Sequence, residues 1–250
     1  PDSVTIIKKS AFEDCEKLKE IRLPNSLEII DETCFYKCIE LESVFIPNTV
    51  KIIEYSSFGY CSKINNVLIP NSVVTIGNCA FGDCTNLVNI TLPDSLKTIG
   101  GGLFLRCKNL KYVNIPNSIE VIPEYCFSDC IGLENIEIPN GVKCIKEWAF
   151  DGCRFKNIEL PKSVECLKDH VFSDNCNLTN VKITDSLTEI GGFCFQGCKS
   201  LKQFTIPKTI RKIGDYNLKK SDDIKNLKIQ NKLLKKFRKR GIFCDTQINF

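Results

Sequence analysis

The segment IPNSVVTIGNCAFGDCTNLVNITLP, residues 69–93, indicates the fold most directly, because its pattern returns every 23 residues along most of the chain. Each copy opens with a proline, and these are Pro1, Pro24, Pro47, Pro70, Pro93, Pro116, Pro139, Pro161 and Pro207, with Thr184 in the remaining place. A fixed period of this length is typical of stacked repeats. The sequence therefore predicts ten stacked repeats over residues 1–229 and a degenerate, basic repeat or cap over residues 230–250.

Apolar residues recur at the same places in each copy. When the opening proline is counted as position 1, these places are positions 4, 7, 12, 18, 21 and 23. Position 12 is phenylalanine in nine copies: Phe12, Phe35, Phe58, Phe81, Phe104, Phe127, Phe150, Phe172 and Phe195. One copy alone cannot bury such a set, whereas stacked copies let each side chain pack on its equivalents above and below. We therefore expect continuous columns of like residues in the core.

Two secondary-structure signals occur in each copy. Positions 20 to 23 alternate polar and apolar residues, as in 112–115, which predicts a short strand that the following proline ends. Positions 7, 11, 15 and 18 are spaced like one face of a helix, and glycine at position 8, such as Gly77, limits it to a single turn. Ten parallel strands about 4.8 Å apart would give a continuous strand face roughly 48 Å long.

The pattern I-P-N-S-V/L, followed by I, A-F, C and L, resembles the BspA-like class of leucine-rich repeats, found in bacterial and protist surface proteins. It is visible in residues 69–93 and again in IPNSIEVIPEYCFSDCIGLENIEIP, residues 115–139. The resemblance covers residues 1–229. It implies an α/β solenoid, right-handed and curved, with a parallel β-sheet on the concave face and short helical turns on the other side. The chain departs from the pattern by a deletion near Phe155, a shifted Cys176, and Leu218 and Ser221 in the tenth copy.

The chain has sixteen cysteines, and most of them follow the repeat. Position 15 holds Cys15, Cys38, Cys61, Cys84, Cys107, Cys130, Cys153 and Cys198. Unpaired cysteine is among the most buried residue types, which favours a column of small apolar side chains in the core. A disulfide framework is the alternative, but side chains of a parallel ladder point the same way and not at each other. With His170 as the single histidine and no zinc-like spacing, we predict no metal and no cofactor.

The functional expectation is a non-catalytic binding scaffold. The sequence has no G-x-S-x-G, no phosphate-binding glycine loop and no H-E-x-x-H, so we predict that it is not an enzyme. The family resemblance implies a protein or glycan partner, at a cell surface or outside the cell. The alternative is a cytoplasmic regulator or inhibitor that holds a protein partner. We expect no nucleic-acid partner, and no apolar run is long enough to cross a membrane.

Exposed positions of the strand carry the first candidate site. We expect Phe45, Leu68, Asn66, Asn89, Tyr112 and Asn114, at positions 20 and 22, to contact a ligand on the concave face. Exposed aromatic and apolar side chains on such a face are typical anchors. The alternative is a solvated sheet surface on which the asparagines hydrogen-bond from one repeat to the next.

A second candidate column lies at position 10. This position is small in the first five copies and then becomes Tyr125, Trp148, His170, Phe193 and Tyr216. The column either packs on the neighbouring turn or forms a stacking ladder beside carboxylates, suited to a cation or a sugar ring.

The last residues lose the pattern and are basic, with Lys235, Lys236, Arg238, Lys239 and Arg240. A cap over the last repeat is the first interpretation. The alternatives are a nuclear-targeting tract, a contact with an anionic membrane or a contact with RNA. Because the chain begins inside the repeat pattern, we interpret it as a processed or trimmed portion.

Overall fold

The structure, a computed structural model, describes residues 2–221 and the backbone of residues 226–229. Within these residues the chain forms nineteen short strands and no helix. Ten two-residue strands form what we call the minor sheet: β1 (Ile6–Ile7), β3 (Ile29–Ile30), β5 (Ile52–Ile53), β7 (Thr75–Ile76), β9 (Thr98–Ile99), β11 (Val121–Ile122), β12 (Cys144–Ile145), β14 (Cys166–Leu167), β16 (Glu189–Ile190) and β18 (Lys212–Ile213). The other nine form the major sheet: β2 (Glu20–Arg22), β4 (Ser43–Phe45), β6 (Asn66–Leu68), β8 (Asn89–Thr91), β10 (Tyr112–Val113), β13 (Asn157–Glu159), β15 (Asn180–Lys182), β17 (Gln203–Ile206) and β19 (Asn226–Ile229).

Both sheets are parallel and pair equivalent residues of successive repeats. In the minor sheet Ile30 pairs with Ile53, and in the major sheet Val44 pairs with Val67. The parallel solenoid predicted from the repeat is therefore confirmed, whereas its handedness and curvature stay predictions. The minor sheet was not predicted, because a two-residue strand is too short to show an alternating pattern.

The predicted helical turns are wrong. Between residues 2 and 221 no helix forms, because positions 10 and 14 of every repeat have positive φ, as at Ser10 (59°) and Asp14 (56°). Left-handed residues at this spacing cannot belong to a right-handed helix. The segment instead runs as successive β-turns, with the N–H of Ala11 donating to Lys8 O at 3.1 Å and that of Cys15 to Phe12 O at 3.2 Å.

The phenylalanine column is confirmed. The rings of Phe35 and Phe58 are stacked with centroids 5.3 Å apart, and those of Phe58 and Phe81 with centroids 5.4 Å apart. All three side chains are fully buried. At the deletion, Phe155 enters the core and meets Phe150 edge-on at 5.6 Å, so an early aromatic fills the space of a missing residue.

The cysteine column is buried as predicted, except for Cys15 in the first repeat, which is exposed, and it is also a column of hydrogen bonds. Each buried thiol at position 15 donates to the carbonyl of the phenylalanine in the preceding repeat; Cys107 Sγ, for example, lies 3.0 Å from Phe81 O. Where the sequence departs from the pattern, another donor takes the place. Asn175 Nδ2 donates to Phe150 O at 2.7 Å, which leaves the shifted Cys176 exposed.

In the tenth repeat Ser221 Oγ takes this role and donates to Phe195 O at 2.9 Å. A hydrogen-bond donor, and not only a small apolar side chain, is therefore what this column requires.

One disulfide corrects the expectation that parallel side chains cannot meet. Cys144 and Cys166, at position 6 of adjacent repeats, are bonded, with their Cα atoms 4.9 Å apart. They are register partners in the minor sheet, and that separation lies within the range that a disulfide spans. The other thirteen cysteines of residues 2–221 are free, and Cys244 lies outside the described residues.

Both sheets are interrupted between the fifth and sixth repeats, at a junction we call the seam (residues 93–115 against 116–138). The minor sheet ends at β9 and resumes at β11, and the major sheet ends at β10 and resumes at β13. At other junctions the N–H of position 8 donates to position 7 of the preceding repeat, as Gly100 N does to Ile76 O at 2.8 Å. The sixth repeat has Pro123 there, which has no N–H to donate.

The predicted continuous strand face is therefore wrong. The described major sheet consists of blocks of five, two and two strands. The predicted basic cap, 230–250, lies outside the described residues.

Candidate functional site

The exposed face of the major sheet carries an apolar patch. Phe45 and Leu68 are register partners on β4 and β6, and their side chains are 61% and 68% exposed. They stand at position 22, which points away from the core because Val44 and Val67 between the exposed positions point inward. The sequence thus correctly placed two large apolar side chains side by side in solvent.

Polar residues and one aromatic ring flank this patch at position 20. Asn66 pairs with Asn89, and Asn89 pairs with Tyr112, whose ring is 56% exposed. No hydrogen bond of the Asn66 or Asn89 amide group occurs within residues 2–221. These amides are therefore available to a partner and do not bond from repeat to repeat. Whether these residues bind a ligand stays a prediction.

Asn114, the sixth predicted residue of this face, uses its amide inside the sheet. Its Oδ1 accepts the N–H of Leu92 at 2.8 Å, and its Nδ2 donates to Leu92 O at 2.9 Å. The side chain thereby replaces the backbone groups that would continue the ladder. Asn114 closes the edge of the five-stranded block at the seam.

Beyond Asn114 the seam opens into a groove of about 530 Å³ on the major sheet. Its walls are residues 112–115, 117 and 135–140, with Tyr112, Asn135 and Glu137 among the exposed side chains. In the described part of the chain, no ladder pairing joins 135–138 to either neighbouring repeat. The groove therefore combines open backbone groups with polar side chains.

The seam is closed on the opposite side of the repeats. Gly102 N donates to Glu124 O at 2.7 Å, and Phe104 N donates to Cys126 O at 2.9 Å. The planes of Phe104 and Phe127 differ by 25°, compared with 4° for Phe58 and Phe81. The two repeats are thus wedged apart at the strands and joined at the turns.

A close backbone contact lies beside the groove. Position 3 is Ser or Thr in most repeats, and in several of them its hydroxyl donates to the preceding repeat, as Ser118 Oγ does to Leu96 O at 2.6 Å. The seventh repeat has Gly141, where an added Cβ would lie 1.9 Å from Asn117 O. Only glycine permits this approach. Sequence reasoning did not use Pro123 and Gly141, the two residues that signal the groove.

The second candidate column forms a ladder of stacked rings on the turns. Trp148 and His170 have centroids 3.7 Å apart, and His170 and Phe193 have centroids 4.7 Å apart. Tyr125 and Tyr216 continue the stack at 6.1 and 5.1 Å from their neighbours. Burial lowers the pKa of His170, so its ring is neutral at physiological pH.

The inner rings of this column cover one another's faces. The outer face of Tyr125, which is 42% exposed, remains open, as do the ring edges. Binding of a ligand to this column stays a prediction, and the geometry restricts it to those surfaces.

Two further features, a metal site and a membrane-spanning helix, are absent from the described residues. Between residues 2 and 221, no group of three or more His, Cys, Asp or Glu side chains is placed to hold a metal ion. The same residues include no helix that is long and apolar enough to span a membrane.

Comparison with known proteins agrees with this architecture. The family described as BspA type leucine rich repeat region matches residues 1–73, 51–175 and 121–248. A leucine-rich repeat protein from Bacteroides ovatus is similar in structure, with a TM-score of 0.57 and 25% identity over 90% of this chain and 78% of that one. The T. pallidum leucine-rich repeat protein has a TM-score of 0.55 and 26% identity, over 78% of this chain and 81% of that one. No curated protein matches the sequence.

Proposed function

Because this chain belongs to the BspA-type leucine-rich repeat family, we propose that it is a non-catalytic scaffold that binds a protein partner on the exposed face of its major sheet. The observation that carries the proposal is the contiguous surface from Phe45 and Leu68 to Tyr112 and the seam groove. Large apolar side chains in solvent, next to unpaired amides, are typical of a recognition surface.

The apolar patch supplies affinity. Burying an exposed Phe or Leu side chain contributes about 1.5–3 kcal/mol, so covering Phe45 and Leu68 would contribute roughly 3–6 kcal/mol before the cost of association. The Asn66 and Asn89 amides beside the patch would then hydrogen-bond polar groups of the partner. Apolar anchors with a polar surround are the usual anatomy of such interfaces.

The seam groove determines the orientation in which the partner binds. An extended segment of the partner can hydrogen-bond to the open backbone of 135–138, which has no ladder partner in the described structure. Tyr112 stands at the border between the patch and the groove, so a partner that reaches both must contact it.

The experiment compares two sets of variants in affinity capture from cell-surface extracts, followed by titration of the captured protein. Phe45→Ala combined with Tyr112→Ala should weaken binding at least about tenfold, because each anchor contributes about 1–2 kcal/mol. Val121→Ala is the matched control, since Val121 is an apolar side chain that is 40% exposed on the minor sheet, outside the surface proposed to bind. Equal binding by wild type and the folded double variant would refute the assignment.

We also propose a location at the cell surface. The disulfide between Cys144 and Cys166 supports it, because disulfides persist in oxidising compartments and are rare in the cytoplasm. Mass spectrometry of thiols, on protein from its natural source, tests this. If Cys144 and Cys166 are free thiols there, the alternative of a cytoplasmic regulator replaces this proposal.

A further inference from the structure

A second concave site lies on the turns of repeats two to five, away from the major sheet. It is a pocket of about 230 Å³ whose walls include Tyr36, Tyr55, Tyr60, Asp83 and Arg106. These residues occupy positions 9, 13 and 14, whereas the major sheet uses positions 20 to 23. The pocket is therefore independent of the surface assigned to the protein partner.

The pocket exists because position 10 is small in this half of the chain. Its inner wall includes Thr33, Ser56 and Cys79, which stand where later repeats carry Trp148 and Phe193. All of these residues share the same left-handed backbone conformation, with φ between 48° and 61°. In the later repeats, rings fill the space, and in these repeats it is open to solvent.

Three tyrosines make the walls amphipathic. Tyr36 and Tyr60 meet edge to face with centroids 5.4 Å apart, and Tyr55 and Tyr60 are 48% and 39% exposed. Burial raises the pKa of Tyr36, so its hydroxyl stays protonated at neutral pH. Neither the Tyr36 nor the Tyr55 hydroxyl has a hydrogen-bond partner within residues 2–221, so both are free to bond a ligand.

The charges in the pocket cancel. Arg106 Nε and Nη2 donate to the two carboxylate oxygens of Asp83, each at 2.8 Å, and Nη2 also lies 3.3 Å from the Tyr60 hydroxyl. A cationic ligand would meet the guanidinium, and an anionic ligand would find that guanidinium already neutralised by Asp83. The pocket therefore favours a neutral ligand.

We propose that this tyrosine pocket binds a neutral sugar residue at the end of a glycan. A sugar ring has apolar C–H faces that pack on aromatic rings and hydroxyls that bond phenols and a guanidinium. The volume is below the 300–1,000 Å³ usual for larger ligands, which suits a single ring.

The test applies the full chain to an array of immobilised neutral, sialylated and sulfated oligosaccharides. Binding should be confined to neutral glycans and should be inhibited by the free methyl glycoside of the terminal sugar. Cys79→Tyr introduces at position 10 the type of residue that Tyr125 provides in the sixth repeat, and it should reduce binding at least about tenfold by filling the pocket. Tyr55→Ala, which removes an exposed ring, should have an effect in the same direction and decides the matter if Cys79→Tyr does not fold.

Val121→Ala is the matched control and should leave glycan binding unchanged, because Val121 is exposed on the minor sheet and does not line the pocket. The proposal is overturned if no neutral glycan binds, if only acidic glycans bind, or if the Tyr55→Ala variant binds as wild type does. Each of these results leaves the protein-binding proposal standing, since that proposal depends on the separate surface formed by Phe45, Leu68, Tyr112 and the seam groove.

Discussion

Replacing one column cysteine tests whether the core cysteines act as hydrogen-bond donors. Cys107 is fully buried, and its Sγ lies 3.0 Å from the carbonyl oxygen of Phe81. Cys107→Ala removes apolar burial worth about 1 kcal/mol and one hydrogen bond worth about 0.5–1.5 kcal/mol. The Phe81 carbonyl keeps the backbone N–H of Cys84 at 3.3 Å, so it retains one donor. We therefore expect the free energy of unfolding to fall by about 2 kcal/mol.

The comparison with serine shows whether hydrogen bonding or apolar packing accounts for the stability that Cys107 contributes. Cys107→Ser keeps a donor in the position that Ser221 occupies naturally in the tenth repeat, so it should cost less than Cys107→Ala by roughly 0.5–1 kcal/mol. If the column were held by apolar packing alone, a buried hydroxyl would cost more than a methyl group, and the order would be reversed.

The assay is urea unfolding combined with native-state hydrogen exchange, because a solenoid need not unfold in a single step. Cys15 is the matched control: it holds position 15 of the first repeat, but it is exposed and its Sγ donates no hydrogen bond within residues 2–221. At Cys15 we expect alanine and serine to differ little. Finding serine worse than alanine at Cys107 would refute the hydrogen-bond argument.

Two further predictions concern single residues of the solenoid. Gly141→Ser should destabilise the protein by about 1–3 kcal/mol in the same assay, because its Cβ would lie 1.9 Å from Asn117 O, whereas Ser118→Gly should cost about 1 kcal/mol for one lost hydrogen bond. Burial raises the pKa of Asp151 to about 6, so this carboxyl's contribution to stability is present below about pH 4 and is lost as the pH rises through 6. Asp151→Asn should therefore stabilise the protein near pH 7.5 by about 1 kcal/mol, allowing for solvent screening, and change little near pH 4; equal effects at both pH values would contradict the assignment.

The period alone was sufficient to predict the core. Because every repeat but one has the same length, residues such as Phe35, Phe58 and Phe81 must fall on one line when the repeats stack in register, and their rings do so. The alternation at positions 20 to 23 likewise placed Phe45 and Leu68 outside and Val44 inside. Both inferences depend on relations between equivalent residues, which a repeat displays directly.

The backbone conformation of the turns was harder to predict from the sequence. Helix-like spacing of apolar residues also arises when consecutive β-turns project every fourth side chain inward, so periodicity could not separate the two. Asp14, Asp83 and Asp129 at position 14 were a usable signal, since Asp tolerates left-handed φ in turns. Trp148 and Phe193 at position 10 gave no such signal, because bulky residues rarely adopt a left-handed backbone conformation.

The candidate site was predicted only in part for a related reason. Phe45, Leu68 and Tyr112 could be found residue by residue, whereas the seam groove depends on the absence of groups: the N–H that Pro123 lacks and the side chain that Gly141 lacks. The structural consequence of such an absence can be recognised only when the register of neighbouring repeats is known.

Several departures from the repeat lie at one junction, in addition to those at Phe155, Cys176, Leu218 and Ser221. In a solenoid each junction resembles every other, so a random departure would fall anywhere along the stack. Here the missing donor of Pro123, the side-chain closure by Asn114 and the change from Gly102 to Tyr125 at position 10 all lie at the seam, and the close approach of Gly141 lies one repeat further on. Local breaks of a consistent pattern are expected where function or strain requires them. The turns still hold the repeats together there, so the phenylalanine column continues across the seam, with the planes of Phe104 and Phe127 tilted by 25°.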